Sequence, residues 1–232
     1  MFDNFIKLFS KQNLLDQAYD TTVTMLKSDL EMFRATMNVL RNKDTAELPF
    51  NIYQKDKEIN RYEREVRKNV LTHLAISGSQ NVSAGLALVS IVIDVERIGD
   101  YCKNIAELAA AHPTKLHGRM FEDDLKDIET KVLDRFDKII RAVGEPNIEA
   151  AQEVMSDYRG ITRRCDQIIT DIIAEKDPEM RVNDAVVLAM YFRYLKRISS
   201  HLMNIASSVV NPFPRIGFRD KSFEKKDNSE ES

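Results

Sequence analysis

The sequence predicts an all-α protein built as two tandem three-helix bundles, and three observations predict it. Glycine and proline are scarce, at seven and six in 232 residues, and most fall between long blocks of helical apolar spacing. No block shows sustained period-two alternation, so no sheet is expected. The third and sixth blocks repeat each other at an offset of 100 residues.

The blocks are set off by Pro49, Gly78, Pro113 with Gly118, Gly144 with Pro146, Pro178, and Pro212 with Pro214. The first helix is expected at about 13–41, where Leu15, Ala18, Thr22, Met25, Leu26, Leu30 and Phe33 fall on or near one stripe. The others follow at about 51–76, 82–111, 121–143, 148–175 and 182–210. A helix of about 28 residues is about 42 Å long, and helices of that length with short connections make antiparallel bundles.

The internal repeat is specific. Ile91, Val95, Ile98, Cys102, Ile105 and Ala109 keep a four-three spacing, and Tyr191, Leu195, Ile198, Leu202, Ile205 and Val209 keep the same one. A shared heptad alone is weak, because any two bundle helices have one. Within the heptads, however, "ERIGDYCKNIAE" aligns with "KRISSHLMNIAS". Arg97/Arg197, Ile98/Ile198, Asn104/Asn204, Ile105/Ile205 and Ala106/Ala206 are identical. A duplicated three-helix unit is the simplest source. It gives a first repeat at 1–112, a second at 118–212 and a polar tail at 213–232, expected to be disordered.

Composition excludes several functions. With 34 basic and 37 acidic residues the chain lacks the basic excess of a nucleic-acid binder. No apolar run is long enough to span a membrane, although a peripheral contact is open. Cys102 and Cys165 sit in apolar helical patterns without short spacing and read as core residues of a reducing compartment, the cytoplasm. The start, "MFDNFIKLFSK", lacks the features of a signal peptide. It places Phe2, Phe5, Ile6 and Phe9 at helical spacing, as a segment docked on its own bundle or as a partner or membrane-surface contact. His73, His112, His117 and His201 show no metal-ligand spacing, and no phosphate loop, nucleophile elbow or pair of catalytic acids appears, so no enzyme is expected.

The segment "VIDVERIGDYCKNIAELA" concentrates carboxylates on a core helix. With Ile98 at the centre of the apolar stripe, Glu96 falls at about +160° and Asp100 at about −160°, one turn apart on the side opposite the core. Lys103 and Glu107 share that side. A solvated face with i,i+3 and i,i+4 charge pairs accounts for this simply. Yet Glu96 and Asp100 are like charges at i,i+4, and carboxylates on neighbouring helices bind hard cations. On the second block Asp56 and Asn60 are also at i,i+4, with Glu63 on nearly the same face, and they would face Glu96 and Asp100 if the helices are neighbours. Asp94 falls at about −40°, at the edge of the stripe, where a carboxylate needs a partner. Arg97 at i+3 is the expected structural ion-pair partner, and Arg197 is the second candidate.

"DVERIGDYCKNIAE", with its degraded second copy "YLKRISSHLMNIAS", resembles the signature helix of PhoU-domain proteins, and the resemblance covers about 12–211. It implies two tandem three-helix bundles in a non-enzymatic cytoplasmic regulator of phosphate transport. Such a regulator couples a phosphate ABC transporter ATPase to a sensor histidine kinase and restrains uptake and the starvation response. It also implies a homodimer. Some members bind iron or zinc clusters through paired Glu/Asp-x-x-x-Asp motifs. Glu96 and Asp100 match one motif fully, and Asp56 and Asn60 match the other with Asn as its second member. In the second half the motif has become Lys196 and Ser200, facing Tyr158 and Thr162, with Asp157 and Asp166 off register. The resemblance therefore implies iron or zinc in the first repeat only. Alternative readings are a surface-metal-binding bundle, an adaptor for a different transporter, a carboxylate-bridged redox or storage protein, and a purely structural oligomer.

Overall fold

The structure, a computed structural model, describes residues 11–77, 81–144 and 147–218. Among these there is no strand. Seven α-helices follow in order: α1 (Lys11–Asn42), α2 (Ile52–Ser77), α3 (Val82–Ala111), α4 (Glu122–Gly144), α5 (Ile148–Ser156), α6 (Tyr158–Ile173) and α7 (Val182–Val210). Short 3-10 turns precede α4 (Arg119–Phe121) and follow α7 (Phe213–Arg215).

Local chemistry sets several of these ends. Glu122, Asp123 and Asp124 fill the first turn of α4, where the helix dipole favours negative charge. Glu122 also accepts a hydrogen bond from the Gly118 amide. Asn147 caps α5 by accepting from the Ala150 amide at 2.9 Å. The fifth block, expected as one helix, is broken at Asp157. Ser156 bonds back to the Glu153 carbonyl, and the Asp157 carboxylate lies 3.9 Å from the buried guanidinium of Arg135 on α4. Short polar side chains that bond to local backbone compete with the helix at such a point. The tail also differs from expectation. Residues 213–218 fold back on the end of α7, where Asn211 donates to the Arg215 and Phe218 carbonyls and the Gly217 amide donates to Ser207.

Helices α1–α3 form one bundle and α4–α7 the other, the middle helix of the second being the broken pair α5/α6. The bundles share one continuous core. Across the seam α3 runs antiparallel to α7, so that Asp94 meets His201, Tyr101 meets Tyr194, and His112 meets Asp184. Helix α1 meets α4 through the stacked rings of Phe33 and Phe136, 5.6 Å apart and both fully buried. A shift of 103 residues superimposes the buried positions of α1 on those of α4, Phe33 on Phe136 among them. The seam is thus close to a two-fold axis within one chain.

Arg41, at the end of α1, latches the halves together. Its guanidinium donates to Glu122 at 2.6 Å, to Glu129 at 3.0 Å and to the Leu116 carbonyl. Tyr191 of α7 donates to the same Glu129 at 2.8 Å. Burial raises the Glu129 carboxyl in spite of these partners. At Glu122 burial also acts upward, but Arg41 and the Gly118 amide prevail and hold it below the usual carboxylate range.

Candidate functional site: a charged face shared by α2 and α3

The packing of α2 on α3 does bring the predicted carboxylates together. Lys103 joins them: its ammonium lies 2.8 Å from Asp56 Oδ1 and 2.9 Å from Asp100 Oδ1. Asn60 donates to the other Asp56 oxygen at 3.5 Å. Arg97 donates to Asp100 Oδ2 at 3.0 Å and lies 3.6 Å from Glu96. Glu63, on the same side of α2, pairs with Arg67 at 2.6 Å.

The face is more enclosed than a solvated helix surface. Side-chain exposure is 16 % at both Asp56 and Glu96, and 21 % at Lys103. Burial raises the Glu96 carboxyl above its ordinary range, nearby Asp100 adds to this, and Arg97 offsets part; Glu63 and Asp56 push the same way as Asp100. Burial works against the Lys103 charge, but hydrogen bonds to Asp56 and Asp100 outweigh it and hold the ammonium well above its usual value.

Beneath this face lies a carboxylate that the sequence reading did not single out. Asp29 of α1 is fully buried, and neither carboxylate oxygen has a hydrogen-bond partner. It reaches α3 where Gly99 leaves room: a Cβ there would stand 3.0 Å from Asp29 Oδ1 and 2.9 Å from Ile59. Burial and the charge of Glu96 hold the Asp29 carboxyl well above the ordinary range. The signal was present in the sequence, because Asp29 stands three residues after Leu26 and four after Met25, inside the buried stripe.

The expected Asp94–Arg97 pair does not form. Asp94 points across the seam and accepts from His201 at 2.7 Å and from Asn204 at 3.1 Å, while Arg97 lies on the outer side with Asp100. The edge of the apolar stripe faces the other half rather than solvent, so the partner comes from α7. Phe2, Phe5, Ile6 and Phe9 lie outside the described residues.

Iron or zinc, implied by the resemblance, does not fit these side chains as they stand. Lys103 and Arg97 already engage the oxygens of Asp56 and Asp100, and among the described residues no group of three or more His, Cys, Asp or Glu is arranged to hold a metal ion. In the second half Tyr158 and Ser200 hydroxyls meet at 3.2 Å, and Lys196 pairs with Asp166.

Fold and site together define a duplicated helical bundle with a charged, partly enclosed face across α2 and α3. The PhoU domain family model matches the chain twice, over residues 22–109 and 125–209. The chain belongs to the PhoU domain family. It is 23% identical over 181 residues to a phosphate-specific transport system accessory protein PhoU homolog of Synechocystis, covering 77% of this chain and 80% of that protein. A homolog 1 of that accessory protein from Thermotoga maritima is 30% identical over 114 residues, covering 46% and 47%. The fold is that of solved PhoU structures. PhoU from Pseudomonas aeruginosa aligns with a TM-score of 0.76 at 19% identity, covering 86% of this chain and 96% of that one. The phosphate transport system regulatory protein PhoU from Streptococcus pneumoniae aligns at 0.74 and 18%, covering 87% and 95%. Among the described residues no helix is long and apolar enough to cross a membrane.

Proposed function

We propose that this chain is a non-enzymatic cytoplasmic adaptor that restrains a phosphate ABC transporter and links it to a sensor histidine kinase. The observation that carries the reading is the match of both halves to a domain whose relatives are named as phosphate-transport accessory proteins. Surface chemistry supports it. Exposed large apolar side chains gather at two hairpin tips: Leu71, Ile76, Val82 and Leu86 where α2 meets α3, and Ile173, Val182, Val186 and Met190 where α6 meets α7. Because α3 and α7 are antiparallel, the tips lie toward opposite ends of the molecule. Apolar clusters of this kind are contact surfaces for other proteins, and two of them suit a protein that touches two partners or pairs with a second copy.

The mechanism is preferential binding. An adaptor that holds one state of a transporter more tightly shifts the transporter toward that state, by no more than its difference in affinity. In a strain lacking this chain, phosphate uptake in phosphate-rich medium should rise and starvation genes should be expressed constitutively. Unchanged uptake and expression would contradict the reading. A second reading, an adaptor for a different transporter, draws on the replacement of the acidic motif by Lys196 and Ser200 in the second half. It predicts altered uptake of another solute in the same strain.

A further inference from the structure

Arg135 of α4 is one of the largest fully buried side chains of the protein, with 2 % of it exposed. Its Nη1 donates to the Ser199 hydroxyl of α7. Among the described residues its Nε and Nη2 have no hydrogen-bond partner. The Asp157 carboxylate, half exposed, stays 3.9 Å from Nη2, beyond hydrogen-bond distance. A buried guanidinium is costly unless its donors are satisfied. Burial pushes this one down to about 10, and nearby Asp157, Tyr158 and Asp134 offset only part of that.

The fold does not require an arginine here. At the 103-residue offset of α1 and α4 the same place holds Met32, which is fully buried and has no donor to satisfy. Ser199 falls on Gly99. On the middle helix, at the offset that places Tyr158 on Asp56, Asp157 falls on Lys55, which pairs with Glu31 at 2.7 Å. The guanidinium, the hydroxyl that holds it and the carboxylate beside it are therefore found together in the second half and are absent together from the first.

Two features show what the open donors suit. The Nε–H and Nη2–H bonds lie along one edge of the guanidinium and point the same way, the fork that takes two oxygens of a single oxyanion. That edge faces the break between α5 and α6, where the 16-residue α6 begins at Tyr158. The first turn of a helix presents amides without intrahelical acceptors and the positive end of the dipole. The side chain of Asp157, at the N-cap, makes no capping hydrogen bond to them. Because the guanidinium is so closely covered, a small ion suits it better than a side chain carried by another protein.

We infer that the Arg135 fork and the start of α6 form a binding site for one small oxyanion of the phosphate or sulfate kind, beneath the break between α5 and α6. Ser199 holds the guanidinium through Nη1 and so fixes the direction of the fork. Asp157 stands beside the fork and repels the ion, so it must turn outward to solvent for the ion to enter. The site goes beyond the adaptor reading and is independent of it, since an ion can bind the isolated chain without a transporter.

The test is titration calorimetry of the intact chain with inorganic phosphate and, separately, with sulfate, in chloride buffer of matched ionic strength. Wild type is expected to bind one equivalent of at least one of them, and the two titrations tell which. Arg135→Lys keeps the positive charge and loses the fork, so affinity should fall at least about tenfold. Asp157→Asn removes the repelling charge, so affinity should rise about threefold or more. No saturable binding of either ion to wild type overturns the inference. So does an Arg135→Lys variant, its helicity confirmed by circular dichroism, that binds as tightly as wild type. Should Arg135→Lys fail to fold, Asp157→Asn decides, because that side chain is half exposed and its loss leaves the core intact. An affinity unchanged by Asp157→Asn places the ion elsewhere and overturns the site.

Discussion

His201 Nδ1 donates to Asp94 Oδ1 at 2.7 Å across the seam between the two halves, and its counterpart under the internal repeat is the contact of Tyr101 with Tyr194. The two pairs occupy equivalent places of one antiparallel helix crossing, and Tyr101 also stacks on the His201 ring, with centroids 5.8 Å apart. One site of the duplicated crossing is polar and the other is aromatic. Truncating Asp94 to alanine leaves His201 and Asn204 without their acceptor, at a cost of about 1–3 kcal/mol. A double-mutant cycle of Asp94→Ala and His201→Ala in urea denaturation should give a coupling of at least about 0.5 kcal/mol. Additive effects would show that the pair adds nothing to the seam.

Arg41 should matter more than a surface arginine. Arg41→Met keeps the packing of the stem but leaves Glu129 buried without its cation, so a loss of about 3 kcal/mol or more is expected. Thermal unfolding should then show whether the halves come apart in separate steps. A single unfolding transition at the wild-type temperature would contradict the latch.

Asp29 predicts a pH dependence of defined sign. Its carboxyl is raised in the folded state, so folding carries a penalty that begins above the unfolded pKa of about 3.9 and grows as pH rises toward the folded value. Asp29→Asn removes that penalty. Its melting temperature should exceed that of wild type at pH 7–8, with the difference shrinking to nothing near pH 4. An advantage independent of pH would mean that the ionisation of Asp29 is not what costs stability.

Glu122 works in the opposite sense. Its carboxyl is lowered by Arg41 and the Gly118 amide, so its contribution is present above the unfolded pKa and is lost as pH falls through the folded value. Glu122→Gln should therefore destabilise the protein at neutral pH and converge with wild type in acid. Melting curves from about pH 3 to 7 check this.

The N-terminal segment is testable without its structure. Deleting residues 1–10 removes Phe2, Phe5, Ile6 and Phe9 and should weaken self-association or partner capture, measured by ultracentrifugation and pull-down. No change in either would remove the segment from the account.

The helices and the duplication were legible in the sequence because both are written in local spacing. Apolar stripes bounded by glycine and proline located α1 to α4 and α7 to within a residue or two, and the Arg-Ile and Asn-Ile-Ala identities located the repeat. The acidic face was legible for the same reason, since Glu96 and Asp100 share one side of one helix. What the sequence concealed depends on which helices touch. Asp94 finds its partner 107 residues away, and Lys103 reaches Asp56 only because α2 lies beside α3. At the break the Asp157 carboxylate lies 3.9 Å from the buried Arg135 of α4, a neighbour that no local pattern reveals.

If the chain acts as proposed, by holding one state of a phosphate transporter, its affinity for that transporter depends on the transporter's state. The most direct measurement is the affinity of the purified chain for the transporter with its ATPase, reconstituted in membranes and compared in nucleotide-free and nucleotide-trapped forms. Saturable binding is expected, with a strength that differs by about tenfold or more between the two forms. Equal affinity for both, or no binding to either, would contradict it.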